Sequence, residues 1–135
     1  METKKHSEDV IATILTMNRS WTEGWNEEQF RQYIHTNAVA IVPTISGRLE
    51  GQDAYVAGWR AFCESAVIHE WREADHKVQI YASGKSAVVT YLFSITFIMG
   101  GQKQTMQGRD TVSLVKEGRK WLVVADQFSP EPPGP

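Results

Sequence analysis

Ser86-Ala87-Val88-Val89-Thr90-Tyr91-Leu92-Phe93-Ser94-Ile95-Thr96-Phe97-Ile98-Met99, followed by Gly100-Gly101, decides the fold. β-branched and aromatic residues dominate the stretch, no proline interrupts it, and the paired glycines signal a tight turn. Period two puts Ala87, Val89, Tyr91, Phe93, Ile95 and Phe97 on one face, the core side of a sheet. Val88, Thr90, Leu92, Ser94 and Thr96 share the other. Segments of the same character lie on both sides: Ile68–Ala82 before it, Gln104–Lys116 and Trp121–Ser129 after it. Ser83-Gly84-Lys85 and Glu117-Gly118-Arg119 supply the other turns. Long strands joined by tight turns make an antiparallel meander.

Upstream the period changes to that of helices. Ser7 is a candidate cap, Glu8 and Asp9 suit a helix N-terminus, and Val10, Ile11, Ile14, Leu15, Asn18, Trp21 and Trp25 form one stripe. Gly24 allows a turn, and Asn26 with Gln29 three residues on predicts a second, short helix ending near Tyr33. A strand over Ala38–Pro43 and a loop over 44–50 precede a third helix starting near Gly51, whose apolar face carries Tyr55, Trp59, Phe62 and Cys63. Helices followed by a meander indicate an α+β fold, three N-terminal helices packed in a strongly curved antiparallel sheet, a cone with an internal pocket. All of 1–135 is read as one domain, with about 1–6 and 130–135 as loose termini; the proline-rich Pro130–Pro135 is not expected to continue a strand.

Composition narrows the function classes. The chain has 135 residues, 41% of them hydrophobic and 22% charged, with a formal charge of -2. That is the make-up of a globular domain able to bury a core. No basic stripe suits nucleic acid, and no apolar run suits a membrane span. The N-terminus lacks the apolar segment of a signal peptide, so the expected location is cytoplasmic. The lone Cys63 excludes an internal disulfide, and the four scattered histidines His6, His35, His69 and His76 predict no metal site. No cofactor motif is present: Gly100-Gly101 is a hairpin turn.

The last strand is ambiguous, because both of its faces carry apolar residues. Leu122, Val124, Asp126 and Phe128 form one set; Trp121, Val123, Ala125, Gln127 and Ser129 form the other. With the first set inward, Asp126 enters an apolar interior. The outer face, built of Leu92, Thr111, Val115, Val123 and Ala125, is then apolar enough to predict a homodimer through it. The reverse parity puts Asp126 at that dimer contact.

The chain resembles the SnoaL-like, nuclear-transport-factor-2-like superfamily over nearly its whole length. The resemblance lies in Ala38-Val39-Ala40-Ile41-Val42-Pro43, Leu49-Glu50-Gly51-Gln52-Asp53-Ala54, Gly108-Arg109-Asp110-Thr111, Gly118-Arg119-Lys120-Trp121-Leu122-Val123-Val124 and Phe128-Ser129-Pro130. Small uncharacterised bacterial proteins and the calcium/calmodulin-dependent kinase association domain share these cues. The fold hosts isomerases, cyclases, hydrolases, dehydratases and assembly modules. Ketosteroid isomerases use a strand carboxylate before a proline and a tyrosine on the first helix. Val42 and Met17 stand there, so the resemblance argues against that activity. Limonene-epoxide hydrolases need an arginine and an aspartate on one strand face, whereas Arg109 and Asp110 are adjacent. Their final-strand aspartate is similar to Asp126 in Asp126-Gln127-Phe128, and SnoaL-like cyclases also carry a late aspartate. Where the kinase association domain has arginines, this chain has Phe93, Val112 and Phe128, implying a more apolar pocket.

Asp126 is accordingly the first catalytic candidate, since burial would raise its pKa toward the range useful for proton transfer. The competing role is a structural carboxylate bonded to Trp21 or Trp25. Asp110, on the same face of the neighbouring strand, is its expected partner, the two holding one proton between them. Trp21, Trp25, Tyr55, Trp59, Tyr91 and Phe93 are expected as both core and pocket wall, joined by Phe128 and, through the resemblance, Met17, Val42 and Val112. The expected function is binding of a small apolar ligand, with cofactor-independent lyase, isomerase or hydrolase chemistry. The alternative is a non-catalytic homodimerisation or scaffolding module with a vestigial pocket.

Overall fold

A computed structural model describes residues 2–133. Helix α1 (Glu2–Thr22) buries Val10, Ile14, Met17 and Trp21, spaced four, three and four apart along one stripe. It begins five residues before Ser7, so residues 2–6 are helical. Asn26 caps α2 (Glu27–Arg31), its side-chain oxygen accepting from the Gln29 N–H at 3.1 Å. Strands β1 (Ile34–Ile41) and β2 (Leu49–Glu50) come before helix α3 (Gln52–Ser65), which passes directly into β3 (Ala66–Tyr81). Strands β4 (Ser86–Met99), β5 (Gln102–Glu117) and β6 (Lys120–Pro130) complete the fold. Gly100 and Gly101, both at positive φ, form the β4–β5 turn.

The six strands form an open sheet in the order β2-β1-β6-β5-β4-β3. From β3 to β6 it is the expected meander, but β1 runs parallel to β6, so the sheet is mixed and not wholly antiparallel. Pro130 lies at the end of β6 opposite Gly108, and the Glu131 N–H donates to Gln107 at 2.7 Å. Pro130 thus continues the strand, contrary to the expectation for 130–135, and residues 134–135 lie outside the described range. Helix α1 packs mainly on β3 and α3 on β1, and the core lies between the helices and the inner face of β4, β5 and β6.

Bulges decide which side chains turn inward. In β5–β6, Ser113 pairs with Ala125 and Leu114 with Val123, so Val124 is an extra residue. Trp121 and Val123 point inward before the bulge, Asp126 and Phe128 after it. Neither single-parity reading of β6 holds: Leu122 and Val124 leave the core, and Val123 is fully buried and absent from the outer face. Strand β3 carries two more bulges, at His69 and at Asp75-His76, the second with Asp75 at φ 59°.

Candidate functional site

The regular alternation of β5 carries Asp110 inward with Gly108, Val112 and Leu114. Across the strand pair, Asp110 faces Phe128 and Val112 faces Asp126, making the two aspartates diagonal neighbours on one face. Asp110 is 7% exposed and Asp126 5%. Tyr91 on β4 donates to Asp110 Oδ2 at 2.6 Å, and Tyr55 on α3 donates to Asp126 Oδ2 at 3.0 Å. Asp110 Oδ1 and Asp126 Oδ1 are buried without a hydrogen-bond partner.

Burial pushes both aspartates up. Asp126 lies well above the carboxylate range because it is desolvated and Asp110 repels its charge. Asp110 rises less: burial is opposed by Asp126 and Tyr91 beside it. Tyr55 and Tyr91 are also pushed well above a normal phenol, by burial and the adjacent aspartates, and so stay protonated donors. Neither Trp21 nor Trp25 holds Asp126: Trp21 Nε1 donates to Asn18 Oδ1 at 3.0 Å.

The network extends to residues that the sequence left unassigned. Asn18 on α1 donates to Tyr91 Oη at 3.2 Å and to Glu73 Oε2 at 2.9 Å. Glu73 also accepts from Trp71 Nε1 at 2.7 Å, and its Oε1 lies 2.8 Å from His76 Nε2. The Glu73 side chain is 6% exposed and that of His76 11%, with the imidazole stacked on Tyr91 at 5.0 Å. Trp71 and Glu73 share a parity, so an inward tryptophan is a sequence signal for an inward glutamate. His76 follows only through the bulge at Asp75-His76.

A family model described as SnoaL-like domain matches residues 11–133. The chain belongs to the SnoaL-like family. No curated protein matches it. Solved structures share the fold. A nuclear-transport-factor-2-like protein from Salmonella enterica serovar Typhimurium superposes with a TM-score of 0.83 at 16% identity, covering 97% of this chain and 94% of its own. A protein provisionally described as a scytalone dehydratase, from Novosphingobium aromaticivorans, gives 0.82 at 9% identity, covering 96% and 87%. One provisionally described as a calcium/calmodulin-dependent kinase II association domain, from Xanthomonas campestris, gives 0.70 at 22%, covering 91% and 86%. At these identities the likeness is one of fold.

Within this SnoaL-like domain, the aromatic residues expected as pocket wall pack against one another. Trp59 stacks on Tyr55 at 4.7 Å and meets Phe128 edge-on at 6.2 Å; Phe93 stacks on Trp71 at 5.1 Å and meets Phe128 at 5.9 Å. Trp21 meets Trp71 at 5.0 Å, and Trp25 lies against Phe30, partly buried. Met17, Val42 and Val112 are buried in the core. Open space lies beside this cluster: a half-open cleft of about 450 Å³ between α1 and β3 reaches Trp71 and Glu73. A groove of about 360 Å³ crosses the outer sheet face by Val39, Ile41 and Ala125. Among the described residues no three His, Cys, Asp or Glu side chains gather as a metal site, and no helix is long and apolar enough to cross a membrane. Burial pushes the Cys63 thiol up to about 11, which leaves it a poor nucleophile.

Proposed function

We propose that this domain binds a small, largely apolar molecule against the aromatic wall over Asp110 and Asp126. It then moves a proton to or from that molecule without a cofactor, in the cytoplasm, as a lyase, isomerase or hydrolase. The observation that carries this reading is the pair of buried carboxyls set diagonally on adjacent strands, each held by a tyrosine and each with an unpartnered oxygen. Desolvation raises the affinity of the pair for a proton, which favours one group able to donate and one able to accept. Trp59, Phe93, Trp71 and Phe128 supply apolar contact, and three of them are only partly buried, so the wall reaches the surface. Native mass spectrometry of the purified protein, followed by binding of small carbonyl and alcohol compounds read on the Trp59 indole resonance, tests the reading. Binding that Asp126→Asn weakens or whose proton exchange it abolishes supports it. No ligand, and no effect of Asp126→Asn on any bound compound, overturns it.

A second reading, a non-catalytic homodimerising module, draws on the outer sheet face. Leu92 is 48% exposed and Ile41 40%, beside the groove at Val39 and Ala125.

A further inference from the structure

We infer that Glu73 is a positioning residue that gives the two aspartates unequal roles. Acting through Asn18 and Tyr91, it directs a hydrogen bond onto Asp110, making Asp110 the proton acceptor and Asp126 the proton donor. The inference rests on the acid–base reading above and goes beyond it by assigning the roles.

The direction follows from what each group is able to do. An indole N–H only donates and a carboxylate only accepts. Trp21 Nε1 therefore requires the Asn18 oxygen, and Glu73 Oε2 requires the Asn18 amide nitrogen. The amide is held from both ends, and its nitrogen also meets Tyr91 Oη as donor. With its oxygen occupied as acceptor, Tyr91 sends its own proton to Asp110 Oδ2. That bond is short, 2.6 Å, so negative charge is best placed on Asp110. Asp126 accepts from Tyr55 over a longer 3.0 Å and keeps the shared proton.

Glu73 is itself held by Trp71 and His76 from β3 and by Asn18 from α1. The groups facing the aspartates are Tyr91 from β4, Tyr55 from α3, and each other; the charge of Glu73 acts on Asp110 through space. That charge raises the affinity of Asp110 for a proton, but it is the weakest of the influences on Asp110, behind the hydrogen bonds. Direction outweighs repulsion.

Carboxyl carbon-13 NMR titration of the full chain, with the two resonances assigned through Asp110→Asn and Asp126→Asn, tests the inference. In the wild type, Asp126 should take up the first proton on acidification, with a preference over Asp110 of about tenfold, one pH unit, or more. Glu73→Leu and Asn18→Ser should each reduce that preference to about threefold or less, by freeing the Tyr91 hydroxyl. Glu73→Gln, which removes the charge but retains an acceptor for Asn18, should keep it. A structural role for Glu73 predicts no such division between Leu and Gln. If Glu73→Leu does not fold, Asn18→Ser decides. Preference that survives Asn18→Ser, vanishes in Glu73→Gln, or favours Asp110 in the wild type overturns the inference. Two carboxyls titrating near the ordinary value of about 3.9 would instead remove the acid–base reading itself.

Discussion

Tyr91 and Asp110 face each other across adjacent strands, and the phenol donates to the carboxylate over 2.6 Å in a site closed to water. Hydrogen bonds to charged groups in such surroundings contribute more than neutral ones, and a buried acceptor left unpaired is costly. Tyr91→Phe should therefore cost about 1–3 kcal/mol at neutral pH. The sign follows from which form the bond favours. Tyr91 stabilises ionised Asp110, so its removal raises the Asp110 pKa further, and the cost should shrink in acid, where Asp110 is protonated. Urea melts at pH 7 and pH 4 check this; an equal cost at both would mean the bond does not act on the charged form.

Gly108 lies under the ring of Phe93. A Cβ added there would come within 2.3 Å of Phe93 Cζ and 2.9 Å of the Ser129 carbonyl oxygen. The ring is hemmed in by Trp71 and Phe128, and the carbonyl belongs to the paired strand. Gly108→Ala should thus cost about 1–3 kcal/mol by overpacking and displace the aromatic wall. Thermal melts and the Trp71 indole resonance report the two effects. An unchanged melting temperature would show that Phe93 yields freely.

Trp121 is 3% exposed, edge-on to His6 at 5.9 Å and under the Lys116 ammonium, yet its indole N–H has no partner. Trp121→Ala should cost about 3–5 kcal/mol, as for a large aromatic in a packed site. Trp121→Phe should recover most of that, since it keeps a ring and removes an unsatisfied donor. Denaturant midpoints of both variants test the prediction, and a loss below about 1 kcal/mol for Ala would place Trp121 at the surface.

Leu92 lies exposed on the outer sheet face, whereas Val123, on β6, is fully buried. If two copies pair through that face, Leu92→Glu should give a folded monomer. Val123→Glu should instead fail to fold, because a charge there enters the core. Light scattering with circular dichroism separates the two outcomes. A wild type monomeric at micromolar concentration would end the dimer proposal.

How far the site could be read in sequence depended on strand regularity. Strands β4 and β5 alternate without interruption around Tyr91 and Asp110, so period two placed both residues correctly. On β6 the bulge at Val124 turns Val123 and Asp126 to the same side although they are three positions apart. A fixed parity could bring in one set or the other, never both. His76 reaches the interior through the bulge at Asp75-His76, where Asp75 takes a positive φ that an aspartate adopts but does not announce. The parallel pairing of β1 with β6 is likewise a long-range choice, invisible in the local pattern of either strand.

Asp126 gives the most direct thermodynamic test. Its folded-state pKa is raised well above the ordinary value, first by burial and then by Asp110, whereas the unfolded chain has an ordinary aspartate. The folded state therefore holds a proton that the unfolded state releases. The associated stability is fully present below the unfolded pKa and is lost as pH rises toward the folded one. With one proton of difference, wild-type stability should fall by about 1.4 kcal/mol per pH unit above roughly pH 4, the value of one full proton. Asp126→Asn removes the Asp126 share of this slope, because its side chain is neutral in both states, and leaves only that of the less strongly raised Asp110. Its amide oxygen is able to accept from Tyr55 and its N–H to reach Asp110, so the packing is kept. The variant should match the wild type near pH 4, exceed it in stability at pH 7, and lack any proton-transfer activity. Urea melts of both proteins at half-unit steps from pH 4 to 7.5 measure the two slopes. A variant less stable than the wild type at pH 7, with the wild-type slope intact, would show Asp126 to be an ionised structural carboxylate and leave the pair without its acid.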